Sequence, residues 1–189
     1  MRIAAIAGSL RKDSYNRRLL AIGVSALRKS GADVDELDLR EFPLAVYDGD
    51  IESEQGLPEV AWKLKSRIAA CQGIVIACPE YNASIPGTFK NVIDWTSRGG
   101  SNPWQGKVIA LMGASNGPWG TQRMMPHLRQ SLSLLGAIVI PQQINVASAG
   151  SVWDAEGKLL DDKLAPRVEK FAREFLHFTE RLRADKEAS

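Results

Sequence analysis

The stretch IAAIAGSLRKDSYN, residues 3–16, decides how the rest of the chain is read. Its first five residues are apolar without a break, as a strand buried on both faces of a parallel sheet requires. Beyond it Leu19, Leu20, Val24 and Leu27 recur at helical spacing until Ser30-Gly31 stops the helix. Between strand and helix lies GSLRKDSYN, residues 8–16, rich in small hydroxyl and amide side chains and carrying Arg11 and Lys12. A polar loop that opens into a helix gathers side-chain donors, unpaired backbone N–H groups and the positive end of the helix dipole, so it favours an anion such as phosphate.

Working outward, the same alternation repeats. Residues 34–39 alternate apolar and acidic positions, as a strand near a sheet edge does, and residues 40–56 read as a loop. Val60, Leu64 and Ile68, with Trp62 as a further candidate, mark a second helix. GIVIAC, residues 73–78, is a central buried strand, and residues 85–97 form a shorter helix. VIALMG, residues 108–113, is another buried strand. Met124, Leu128, Leu132 and Leu135 line a helix, and AIVIP, residues 137–141, follows as the fifth strand. Residues 142–160 fit no pattern. Leu164, Val168, Phe171, Phe175, Phe178 and Leu182 make a long final amphipathic helix. Five β–α units without a linker or repeat predict one α/β domain over residues 1–184, with a frayed tail at 185–189.

Bulk properties narrow the function. The 189 residues suit one full-sized core. A net charge of +2 gives no case for nucleic-acid binding. Two cysteines without a CxxC spacing and two histidines far apart in sequence are too few for a zinc site, and the low cysteine count with no signal peptide points to the cytoplasm. No apolar run is long enough to span a membrane.

In a parallel α/β sheet, ligands bind at the carboxyl ends of the strands where the strand order reverses. The loops to inspect therefore follow strands one, three and four. In the first, Ser9, Arg11, Ser14 and Asn16 are phosphate candidates, although Ser14 or Asn16 also reads as a plain helix cap. No P-loop signature and no dinucleotide glycine fingerprint is present. After strand three comes PEYNASIPGTFKNVIDW, residues 79–95. Ser84 and Pro86 suit a helix start. Glu80, Tyr81 and Asn82 supply an acid, an aromatic and an amide, a set that suits a flat heteroaromatic ligand. After strand four, residues 113–123 offer three glycines with Ser115 and Asn116, and Trp119 as a site wall, an interface anchor or a plain loop aromatic.

These motifs, in this order, closely resemble the NADPH-dependent FMN reductase family, a flavodoxin-like group that includes quinone, chromate and azo-dye reductases. The resemblance runs from Met1 to about Ile140. It implies a three-layer α/β/α fold with strand order 2-1-3-4-5, FMN at the carboxyl edge and a homodimer or homotetramer. Carried over, Ser9, Arg11, Ser14 and Asn16 hold the FMN phosphate. Pro79, Glu80, Tyr81 and Asn82 line the ribityl chain and ring, partly through backbone N–H groups, and Ser115 approaches from the third loop. The family often reads SPGxxGGxR in that loop, where this chain has SNGPWGTQR over residues 115–123, so Asn116 and Thr121 depart from the pattern. The departure bears on the nicotinamide and acceptor pocket.

The implied activity is two-electron transfer from NAD(P)H through FMN to a small-molecule acceptor: a quinone, chromate, an azo compound or free flavin. The cofactor carries that chemistry, which agrees with a sequence lacking any nucleophile–base set. Two alternatives remain at this point: a flavodoxin-like electron carrier, and a reductase that takes FMN as a transient substrate.

Overall fold

Alternate residues of the first strand serve two different helical layers, which is why the strand is apolar throughout. In the computed structural model, which describes residues 1–187, β1 is Arg2–Ala7. Ile3, Ala5 and Ala7 face one layer while Ala4 and Ile6 face the other. The remaining elements are α1 (Tyr15–Lys29), β2 (Asp33–Leu37), α2 (Gly49–Gln55), α3 (Glu59–Ala69), β3 (Gly73–Ala77), α4 (Gly87–Thr96), β4 (Val108–Ala114), α5 (Met124–Leu134), β5 (Ile138–Val146) and α6 (Leu164–Glu187).

The sheet is parallel throughout, in the order β2-β1-β3-β4-β5. The acid-alternating segment is the edge strand β2, as its half-polar pattern predicts. On one face α1 and α6 bury Leu19, Val24, Leu27, Val168, Phe171 and Phe175 against the sheet. On the other, α3, α4 and α5 bury Leu64, Ile68, Phe89, Ile93, Leu128 and Leu132. Strand order reverses between β1 and β3, whose carboxyl ends therefore open the ligand-binding crevice.

Four details depart from the sequence reading. Residues 40–56 are not all loop: a 3-10 turn at Leu39–Glu41 and the helix α2 lie in that region, both begun by an aspartate, Asp38 and Asp48, that caps the first turn. Trp62 is 44% exposed and stays off the core face of α3. Trp95 and Trp104, whose place on and near an apolar helix in the sequence suits a self-association face, are instead fully buried inside the subunit, and each indole N–H finds an internal acceptor, Ala45 O and Thr96 Oγ1. The fifth strand does not end at Pro141. It continues to Val146 past an irregularity between the pairs Ile109–Val139 and Leu111–Gln143. Proline is tolerated there because β5 is an edge strand, and Arg129 donates to the carbonyls of Ile140 and Pro141.

Beyond β5, a 3-10 turn at Ala149–Ser151 and a bridge between Trp153 and Leu159 fill the unassigned stretch. The helix α6 continues through Glu187, and positions 188 and 189 of the expected tail lie outside the described residues. No helix among the described residues is long and apolar enough to cross a membrane.

Candidate functional site

Four loops meet at the carboxyl edge of the sheet: residues 8–14 after β1, 78–86 after β3, 115–123 after β4 and 147–163 after β5. The first is shaped by close backbone approach. Gly8 donates to Ala77 O at 2.9 Å, and a Cβ there would lie 2.9 Å from Cys78 Sγ and 3.3 Å from Phe89. Only glycine lets β1 leave the sheet this near β3. Burial pushes the Cys78 thiol up, so it is a packing group and not a nucleophile.

Ser9 and Ser14 are both buried, at 3% and 5% exposure. Ser14 occupies the N-cap position of α1, yet its hydroxyl makes no cap hydrogen bond. The N–H groups of Arg17 and Arg18 donate to Ser14 O at 3.0 and 3.1 Å, which leaves those of Tyr15 and Asn16 for another acceptor. Arg11 and Lys12 are exposed and form no ion pair among the described residues. Buried hydroxyls, the Tyr15 and Asn16 amides and two exposed cations form a donor set that suits a phosphate dianion, so the residues present fit the phosphate end of FMN.

The side chain of Asn16 is engaged elsewhere. Its Nδ2 donates to Ala114 O and its Oδ1 accepts from Ala114 N–H, both at 2.9 Å. The amide ties α1 to the end of β4.

In the second loop, Pro79 is buried and Tyr81 is 43% exposed. Tyr81 and Ser84 exchange backbone hydrogen bonds of 3.1 and 3.0 Å across a tight turn. The helix that follows starts at Gly87 with Pro86 as its N-cap, while Ser84 Oγ shares a 2.9 Å hydrogen bond with His127 Nδ1 on α5. The Glu80 carboxylate accepts from Arg123 N–H at 3.0 Å, Met124 N–H at 3.1 Å and Arg123 Nε at 2.7 Å. It faces α5 and caps that helix, a role the sequence position did not disclose.

The third loop is stitched to the fourth. Ser115 N–H donates to Val146 O, and Ser115 Oγ accepts from Gly117 N–H at 3.1 Å. Asn116 Oδ1 accepts from Gly150 N–H at 2.7 Å. Asn145 Nδ2 donates to Gly120 O at 2.8 Å. Thr121 falls where the resembling pattern has glycine, and its φ of +70° is the left-handed conformation that glycine adopts freely. Trp153 stacks on Tyr15 at 5.8 Å, so the fourth loop also covers the start of α1.

The non-glycine residues with positive φ among the described residues are Asn82, Ala83, Thr121 and Ser148. All four lie in these edge loops. Strain of this kind persists only where surrounding structure holds it, and it clusters at binding sites. No group of three or more His, Cys, Asp and Glu placed to hold a metal exists among the described residues.

The parallel sheet in the order 2-1-3-4-5, with polar loops at its carboxyl edge, defines a flavodoxin-like protein. The family model of NADPH-dependent FMN reductases matches residues 1–151. An NAD(P)H-dependent FMN reductase of Pseudomonas aeruginosa is 35% identical over 184 residues, covering 97% of each chain. A quinone reductase of Escherichia coli is 34% identical over 164 residues, 85% of this chain and 86% of its own. Among solved structures, a flavoenzyme NAD(P)H:(acceptor) oxidoreductase from Paracoccus denitrificans superposes with a TM-score of 0.79 at 29% identity, over 95% of this chain and 97% of that one. The chain belongs to the NADPH-dependent FMN reductase family. It is an enzyme of the NAD(P)H-dependent FMN reductase or quinone reductase type, with FMN and NAD(P)H as its cofactors.

Proposed function

We propose that this enzyme passes two electrons from NAD(P)H to a quinone at the carboxyl edge of its sheet. FMN, when bound, supplies the hydride-accepting and hydride-donating chemistry. The chain's own task is to bind, orient and shield. Ser9, Ser14, Arg11 and the N–H groups of Tyr15 and Asn16 receive the phosphate. The backbone of Pro79, Glu80, Tyr81 and Asn82 lines one side of the cofactor, and Ser115 approaches from the other. The side chain of Asn16 serves this arrangement indirectly, by fixing α1 to β4. The observation that carries the reading is Ser14: a buried hydroxyl at a helix N-cap that makes no cap bond.

Tyr81 and Trp119, 43% and 57% exposed, stand on the second and third loops and suit a planar aromatic acceptor. The names of the quinone reductase relatives support the same acceptor class. Chromate, azo compounds and free flavin are narrower members of the proposal. Initial rates measured with NADPH and a benzoquinone test it. Parallel double-reciprocal lines are expected if product leaves before the acceptor enters. Intersecting lines, which require both substrates bound together, would count against it.

A cytoplasmic homodimer or homotetramer fits the family resemblance and the two free cysteines. Light scattering after gel filtration tests the assembly, and a monomeric mass contradicts it.

A further inference from the structure

The turn at the tip of the β3–α4 loop is strained, and it is gripped from outside. Asn82 and Ala83 are both left-handed, with φ of +50° and +61°. For alanine that conformation brings Cβ against the backbone, so the local sequence does not favour the turn. Two attachments flank it. On one side is Glu80, whose side chain is only 6% exposed. Its Oε2 accepts from Arg123 N–H and Met124 N–H, and its Oε1 accepts from Arg123 Nε and pairs with Arg123 Nη2. On the other side Ser84 meets His127. Arg123 and His127 are one helical turn apart, so both attachments land on one face of α5.

Both oxygens of Glu80 are therefore spent on α5. The N-cap residue of that helix, Arg123, makes no side-chain cap bond, so the carboxylate also supplies the missing cap and the negative charge the helix start favours.

We propose that Glu80 is a positioning residue: it grips the start of α5 so that the Asn82–Ala83 turn keeps the left-handed shape that FMN binding needs. Its side chain acts through this turn and not by contact with the cofactor. The inference rests on the FMN site proposed above.

The test compares E80A, E80Q, A83G and E80A/A83G. Amide exchange at Tyr81 and Ser84 is read in the cofactor-free protein, and the FMN dissociation constant is read by flavin fluorescence. E80A should speed exchange at both amides and weaken FMN by about tenfold, the size expected for a lost charged hydrogen bond. E80Q, which keeps the shape and loses the charge, should move both readouts the same way by less, and it decides the matter if E80A does not fold. In the A83G background, glycine adopts the turn unaided, so E80A should weaken FMN by less than about threefold. Equal losses in the two backgrounds, or unchanged exchange in the cofactor-free protein, would overturn the proposal. A wild-type protein that fails to bind FMN would overturn the site reading instead, while the exchange data would still decide the grip.

Discussion

The side chain of Asn16 and the backbone of Ala114, 98 residues apart, are joined by two hydrogen bonds of 2.9 Å, one in each direction. The first turn of α1 is thereby bolted to the last residue of β4. This relationship separates two tasks within one short polar loop. Ser14 Oγ makes no cap bond and Ser9 Oγ accepts from Arg11 N–H at 3.4 Å, which leaves both hydroxyl protons for the phosphate proposed above, while the Asn16 side chain fixes the start of α1.

The first consequence concerns stability. Replacing Asn16 by alanine leaves the Ala114 N–H and C=O without these partners in a site that is 3% exposed. Stranding two buried polar groups costs about 2–4 kcal/mol. Urea denaturation of cofactor-free N16A should show that loss. A loss of FMN affinity with unchanged stability would place Asn16 on the phosphate.

Ser14 should behave in the opposite way. Because its hydroxyl makes no cap bond, S14A should unfold within about 0.5 kcal/mol of wild type when cofactor-free. FMN binding should weaken by about tenfold, as for one lost hydrogen bond to a charged group. Calorimetric titration and thermal melts on the same preparation check both halves.

Acid sensitivity should come from two aspartates on and just after β2. The Arg67 hydrogen bond, reinforced by Arg2, holds the Asp35 carboxyl below the usual carboxylate range, although its burial opposes this. Arg40 and then Arg17 do the same for Asp38. A carboxyl depressed in the folded state contributes stability that is full above its unfolded value, about 4, and lost as pH falls toward the folded value. Urea midpoints should therefore be insensitive to these groups between about pH 5 and pH 8 and drop below about pH 4. D35N and D38N should flatten that acid limb and cost stability near neutrality. Both pairs are partly exposed, so each effect should stay near 1 kcal/mol.

Trp119 offers a test of the acceptor. Aromatic stacking contributes about 0.5–1.5 kcal/mol, so W119A should raise KM for a planar benzoquinone by about threefold to tenfold. KM for ferricyanide, which has no ring to stack, should stay within about twofold under the same reasoning. Equal effects on both acceptors would remove Trp119 from the quinone site.

The sheet was legible because its three central strands, β1, β3 and β4, are buried on both faces, which leaves unbroken apolar runs at residues 3–7, 73–78 and 108–113. The helices were legible from their apolar spacing. The continuation of β5 was hidden because Pro141 sits at an edge-strand irregularity, where its missing N–H costs nothing. The helix α2 was hidden because it buries no residue and so carries no apolar period. At the site, the residue types were visible but not their partners. Asn16 reads as a phosphate ligand or cap until β4 is seen beside it, and Glu80 reads as a loop acid until α5 is. Both bonds cross tens of residues, and no local spacing encodes them.

The most direct test of the central claim is the visible spectrum of FMN-supplemented, desalted protein under anaerobic conditions, before and after NADPH. Retained flavin absorbance that NADPH bleaches and a quinone then restores is the expected result. Flavin lost on desalting would contradict the phosphate site at residues 8–16. Retained flavin that neither NADPH nor NADH bleaches would contradict the proposed electron transfer.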